Sequence, residues 1–105
     1  MGKKASLEYK LRNFKKVVNR AYPISKMILF GSRASGKGKS ESDIDLIIVS
    51  PKFKGLDFIQ RGSKMYNYWN LKYPVDFLCY TPEEFRKLSK MITVVRSAAL
   101  EGIEI

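Results

Sequence analysis

Histidine is absent from the sequence, and cysteine occurs only once, as Cys79. Without histidine the chain has neither the general base of the common catalytic triads nor the ligands of most zinc sites. Any chemistry must therefore use carboxylates, hydroxyls, lysines or arginines. A lone cysteine cannot form an internal disulfide, which fits a reducing compartment, and we expect Cys79 to be a core residue.

Long apolar runs are also missing. The run Leu46–Val49 is far too short to cross a bilayer, which takes about 20 apolar residues. Lys3 and Lys4 are not followed by the apolar stretch of a secretory signal. We therefore expect a cytoplasmic protein without membrane association.

Positive charge is in excess, with 20 lysines and arginines against 10 acidic residues and a net charge of +10. This balance attracts phosphate-bearing ligands, nucleic acid or acidic partners, but it does not choose among them.

We expect one domain over residues 1–105, because two hydrophobic cores would leave each half too short to bury enough surface.

Apolar periodicity and turn residues predict helices covering a small sheet, an α/β or α+β arrangement. Capping-box chemistry supports one helix start, at Thr81-Pro82-Glu83-Glu84. The predicted helices run from about Ala5 to Tyr22, across Leu56–Trp69, from Thr81 to about Lys90, and from Met91 to Leu100 before Gly102. The predicted strands are Met27–Phe30, Asp43–Ser50 and Val75–Tyr80, and Ser35–Ser42 is predicted to be a loop or a short helix followed by one.

Three aspartates stand at strand starts. Asp43 and Asp45 flank Ile44, and side chains two apart on a strand share a face, with α-carbons roughly 7 Å apart. Asp76 is likewise followed by an apolar strand. Carboxylates beside buried strands need a positive partner, either an arginine or a divalent metal such as Mg²⁺. Each aspartate taken singly is more often a solvated or ion-paired surface residue.

A glycine-serine turn precedes them. Gly31-Ser32-Arg33 follows a predicted strand, where backbone N–H groups can bind phosphate and an arginine can offset its charge. Ten residues, 33–42, separate Ser32 from Asp43. A Gly-Ser pair at a turn is weak evidence of a functional site on its own. The spacing to Asp43-Ile44-Asp45 makes the combined pattern specific.

Together these residues resemble the active-site signature of the polymerase-β-like nucleotidyltransferase superfamily, and in particular its minimal (MNT-type) members. The resemblance implies a small mixed sheet flanked by helices. It further implies that Gly31, Ser32 and Arg33 contact the triphosphate of ATP or another NTP. Asp43 and Asp45 would bind two Mg²⁺ ions, and Asp76 would complete the metal site and help to activate an acceptor hydroxyl. Ser35 departs from the second arginine that is frequent in the family.

By the same resemblance, we expect transfer of a nucleoside monophosphate, AMP from ATP, to a hydroxyl of a partner protein. Minimal members are commonly paired with a HEPN-domain toxin, for which they act as the antitoxin. Two alternatives remain: a non-catalytic antitoxin that works by contact, and a nucleotidyltransferase acting on nucleic acid. The apolar surface of the last predicted helix, Met91–Leu100, suggests a homo- or hetero-oligomer interface.

Overall fold

The computed structural model describes residues 3–35 and 43–105. Most of the predicted loop Ser35–Ser42 lies outside these residues. The described helices are α1 (Lys3–Asn19), α2 (Ser32–Ser35), α3 (Phe58–Tyr66), α4 (Pro82–Leu88) and α5 (Val94–Glu101), with a 3₁₀ turn at Pro51–Phe53. The strands are β1 (Lys26–Phe30), β2 (Ile44–Val49), β3 (Val75–Tyr80) and β4 (Ile103–Glu104).

The four strands form one mixed sheet in the order β3-β2-β1-β4. β1 runs antiparallel to both β2 and β4, whereas β2 and β3 are parallel. The α/β fold with a small mixed sheet flanked by helices is therefore confirmed.

Helices cover both faces of the sheet. On one face, the α1 cluster joins the buried side of α1 to alternate sheet residues such as Leu46 and Ile48. On the other, the α5 cluster contains Ile28, Ile47, Val49, Val95 and Ala98. A strand buried on both faces is apolar at nearly every position, which explains the unbroken run Leu46–Val49.

Side-chain caps mark the starts of α3, α4 and α5. Thr81 caps α4, and its hydroxyl and the Glu84 carboxylate form the predicted capping box. An equivalent box that was not predicted, from Asp57 and Gln60, begins α3. α5 starts at Thr93–Val94, not at Met91, because the Thr93 side chain accepts the N–H of Arg96.

Two helices are shorter than their apolar patterns predicted. α1 ends at Asn19 and not at Tyr22. α3 ends at Tyr66, so Trp69 lies beyond it, where its ring packs edge-on against Phe14 and its Nε1 donates to the Tyr73 carbonyl. Trp69 thus packs against the α1 cluster.

The short strand β4 was not predicted from sequence. It follows directly on Gly102 and pairs Ile103 with Leu29 and Glu104 with Ile28. A Cβ on Gly102 would come within 2.9 Å of the Leu29 carbonyl oxygen, so glycine permits this close approach. Among the described residues, no helix combines the length and apolar character that crossing a membrane requires.

Candidate active site

Asp45 and Asp76 are direct neighbours across the parallel pair β2–β3. Alternate residues of β2 share one face of the sheet, and Asp45 is the first of them on the face that carries Ile47 and Val49. Ile47 and Val49 are buried in the α5 cluster. Asp76 occupies the matching position on β3, two residues before Leu78. The sheet therefore presents both carboxylates side by side, at the end of a face whose remainder is covered by apolar packing.

Asp43 lies immediately before β2 and is exposed to solvent. Ile44, between it and Asp45, is fully buried in the α1 cluster, and its N–H donates to the Pro74 carbonyl at 2.9 Å. That bond anchors the start of β2 beside the start of β3. Asp43 is thereby held near the other two carboxylates, close enough for its charge to act on Asp45.

Burial raises the pKa of Asp45, and the negative charges of Asp76 and Asp43 raise that pKa further. Hydrogen bonding of its side chain to Asp76 acts on the pKa of Asp45 in the same direction. Like charges this close cannot all ionise without compensation. The site is thus one in which a cation would be bound favourably.

Gly31 forms the turn that brings β1 against these carboxylates. Its φ of +77° is in the left-handed region, which residues with a Cβ rarely adopt. A Cβ at this position would lie 3.3 Å from Asp45 Cγ and closer still to Oδ2. Glycine is therefore required both by the turn and by the position of the Asp45 carboxylate.

Ser32 and Arg33 follow in the single turn of α2. Ser32 is exposed, and the N–H of Ala34 donates to the Gly31 carbonyl at 3.1 Å. Arg33 is half-buried, with its guanidinium carbon 5.2 Å from the centre of the Tyr73 ring. This cation–π contact holds Arg33 against the segment that leads into β3.

The carboxylates do not form a closed metal cage. Within residues 3–35 and 43–105, no three acidic, histidine or cysteine side chains make a preformed cation cluster. Asp45 and Asp76 are in contact, and Asp43 is linked to them by charge alone. This donor set fits Mg²⁺, because that ion commonly takes one or two protein carboxylates and completes its shell with water and substrate phosphate oxygens.

Comparison with known proteins decides the family. The family model described as a nucleotidyltransferase domain matches residues 11–101. This protein belongs to the nucleotidyltransferase family. The chain is also similar to the probable protein adenylyltransferase MntA of Haemophilus influenzae, with 34% identity over 85 residues that cover 77% of this chain and 73% of the relative.

A solved structure from Sulfolobus solfataricus, assigned as a nucleotidyltransferase, shares the fold. The TM-score is 0.59 at 24% identity, over 83% of this chain and 82% of the other. The protein is accordingly a transferase of the minimal, polymerase-β-like type, and transfer of a nucleoside monophosphate is its family's reaction.

Two concave surfaces of this nucleotidyltransferase lie on either side of Phe30. The first, of about 320 Å³, is lined by Gly31, Ala34 and the α5 residues Val94, Ser97 and Ala98, among others. The second, of about 570 Å³, contains Asp45 and Asp76 and is walled by α3. The carboxylates thus face the second cavity, while the glycine turn faces the first.

The contribution of α3 to the second cavity was not predicted. The apolar residues Ile59, Met65 and Tyr66 predicted a helix here, without indicating which of them line a cavity. Met65 is fully buried, but Ile59 is 79% exposed and Tyr66 is 51% exposed. The sequence did contain an indication of the cavity, namely the pair of small residues Gly62-Ser63. Both line the cavity, where their small size leaves room beside the carboxylates.

Proposed function

We propose that this nucleotidyltransferase transfers AMP from ATP to a hydroxyl group of a partner protein, with Mg²⁺ as its cofactor. The observation that supports this most directly is the Asp45–Asp76 pair, held in register on adjacent parallel strands and reinforced by the charge of Asp43. The name of the Haemophilus relative, a protein adenylyltransferase, supports the choice of nucleotide and acceptor.

In this proposal Asp43 and Asp45 would hold two Mg²⁺ ions, and Asp76 would complete the metal site. The bound ions would offset the charge of the triphosphate and of the oxygens that enter and leave. Gly31, Ser32 and Arg33 would receive the triphosphate, since they stand where β1 turns into α2 and Arg33 adds positive charge.

The transfer forms one phosphorus–oxygen bond and breaks one. The acceptor oxygen attacks the α-phosphorus of ATP, the bond from that phosphorus to the bridging oxygen of the β-phosphate breaks, and pyrophosphate leaves. The hydroxyl proton passes to Asp76, which thereby helps to activate the acceptor hydroxyl.

The partner we propose is a HEPN-domain toxin, with this protein as its antitoxin in a cytoplasmic hetero-oligomer. The support is the likeness to minimal nucleotidyltransferases, together with exposed apolar residues on and before α5, namely Met91, Ile92, Val94 and Leu100. Such residues are typical of a surface that another subunit covers.

The test is incubation of the purified protein with Mg²⁺, each of the four labelled nucleoside triphosphates and the protein encoded by the neighbouring gene, followed by intact-mass analysis. We expect the partner to gain one or more AMP groups. Asp45→Asn and Asp76→Asn should each slow the transfer by a factor on the order of 10²–10³, as loss of a key electrostatic contact does in other enzymes.

Asp57→Asn is the matched control. It removes the same charge from an aspartate that caps α3 and lines no part of the carboxylate cavity, and asparagine is an equally good cap. Its transfer rate should match the wild type. A stable, neutralised complex without any mass gain would instead identify a binding antitoxin on this scaffold.

A further inference from the structure

Helix α3 is built with two distinct faces. Its inner face is fixed by Met65, which is fully buried, and by Arg61, which is 8% exposed. The Arg61 guanidinium donates to the carbonyls of Phe53, Leu56 and Cys79 and pairs with the Glu84 carboxylate. These contacts hold the helix rigidly at the edge of β3.

The adjoining, solvent-facing side forms what we call the α3 stripe: Phe58, Ile59, Gly62 and Tyr66. These positions recur at spacings of one, three and four, so they share one side of the helix. Phe58 is 51% exposed and Ile59 is 79% exposed, although the inner contacts of α3 are complete. The exposed apolar surface is therefore not a consequence of poor packing.

The α3 stripe walls the cavity that contains Asp45 and Asp76. An acceptor hydroxyl that enters this cavity passes beside the stripe. Gly62 widens the approach, because a Cβ built there meets nothing within 4 Å. The cavity of about 570 Å³ is large enough for several side chains of an incoming chain.

The charge of this surface distinguishes protein from nucleic acid as the acceptor. In a chain with net charge +10, no lysine or arginine is among the described residues that line the cavity. Nucleic-acid binding depends on neutralising phosphates with basic side chains. A nucleic-acid backbone that followed the stripe would meet apolar side chains, with no basic side chain among the described residues that line the cavity.

We propose that the α3 stripe is the docking surface for the acceptor, and that it takes a protein segment with aliphatic or aromatic side chains beside the hydroxyl. This inference rests on the proposed function and names the part of the chain that selects its substrate. Apolar burial against Ile59 and Phe58 would position the hydroxyl at the carboxylate pair.

Two variants test the stripe without touching the carboxylates. Ile59→Ser removes apolar surface, and Gly62→Leu fills the open space beside Asp76 while adding a better helix former. Val17→Ser is the control for the first, since Val17 is an exposed β-branched residue on α1 and is not among the residues that line the carboxylate cavity. Gly62→Ala is the control for the second, with the same backbone change and little added volume.

Each variant is assayed for Mg²⁺–ATP binding by calorimetry and for AMP transfer to the neighbouring gene's protein product, with bulk tRNA as a parallel acceptor. We expect ATP affinity within twofold of wild type throughout. The KM for the protein should rise at least about 5-fold in Ile59→Ser and 10-fold in Gly62→Leu, with kcat changed less. Ile59→Leu should restore the wild-type KM.

The outcomes separate the inference from the function on which it rests. If wild type labels the protein and both stripe variants keep its KM, the α3 stripe is not the docking surface, while the proposed function stands. If wild type labels tRNA, or labels neither acceptor, the proposed function is wrong and the inference is overturned with it.

Discussion

Replacing Gly31 with alanine should damage the site in two separable ways. The first is conformational, because alanine in the left-handed region costs about 1–2 kcal/mol, and Gly31 has φ +77°. The second is steric. The new Cβ would overlap the Asp45 carboxylate, whose Cγ lies 3.3 Å from the Cβ position, so the carboxylate must move.

The functional cost should exceed the stability cost. A misplacement of about 1 Å in a reacting group can slow catalysis by about 10². We therefore expect Gly31→Ala to reduce kcat/KM for AMP transfer by about 100-fold, and to lower the free energy of unfolding by at least the conformational 1–2 kcal/mol. Urea denaturation and the intact-mass transfer assay measure the two effects.

Gly55→Ala provides the control for strain alone. Gly55 has φ +87°, yet a Cβ there meets nothing within 4 Å. The Gly55→Ala variant should lose about the same 1–2 kcal/mol in its free energy of unfolding. Its rate of AMP transfer should equal that of the wild type. In an Asp45→Ala background, the stability cost of Gly31→Ala should fall to that of Gly55→Ala, because the clashing carboxylate is gone.

Equal activity in the Gly31→Ala and Gly55→Ala variants would refute this reasoning. So would an undiminished stability cost in the Asp45→Ala background. Either result would mean that the turn and the carboxylate do not compete for the same space.

Three further predictions concern the rest of the molecule. The hydrogen bond from Arg61 lowers the pKa of Glu84 from its ordinary value of 4.5, so its contribution to stability is present above that pH and is lost as pH falls through the lowered value. Glu84→Gln keeps the capping box but should lower the free energy of unfolding by about 1 kcal/mol at pH 7, a value discounted for exposure, and by clearly less at pH 3. Urea denaturation at both pH values measures this difference, and a cost independent of pH would contradict the prediction. Burial raises the pKa of Cys79 to about 12, so its thiol should react with a disulfide reagent at pH 8 only after unfolding. Rapid labelling of the native protein would instead show that β3 opens. Gly62→Ala should raise the free energy of unfolding by about 0.5–1 kcal/mol, since alanine is the better helix former, and a lower melting temperature would argue that Gly62 needs its glycine for packing.

Much of the fold could be predicted because its signals are local. The Thr81–Glu84 capping box begins α4 where the four residues alone indicated. The strand Val75–Tyr80 has the predicted bounds. Such elements depend on contacts between residues close in sequence, which composition and periodicity report directly.

The candidate site was predictable in its parts. Asp43 and Asp45 follow from the two-residue period of a strand, and Gly31-Ser32 from turn chemistry together with the spacing to Asp43. Asp76 follows from the same position at the start of an apolar strand, and family resemblance implied its role in the metal site. The roles assigned to these residues, and to Arg33, remain predictions that the variants above test.

Other features depend on contacts between distant segments. β4 has only two residues, too few for a periodic signal, and exists because Ile103 and Glu104 pair with β1. Ile59 and Met65 look alike in sequence, yet one is exposed and the other buried, since only packing against β3 and the α1 cluster distinguishes the faces of α3.

The sequence by itself determined the carboxylates, the glycine turn and the class of element that carries each of them, because strand alternation, capping and turn conformation act over a few residues. Only the tertiary structure decided that Asp45 faces Asp76 in register, that Gly31 leaves no room for a side chain beside Asp45, and that α3 presents an apolar wall to both carboxylates. The physical reason is that strand register and helix docking depend on which distant surfaces bury each other, and that choice is made by the assembled core.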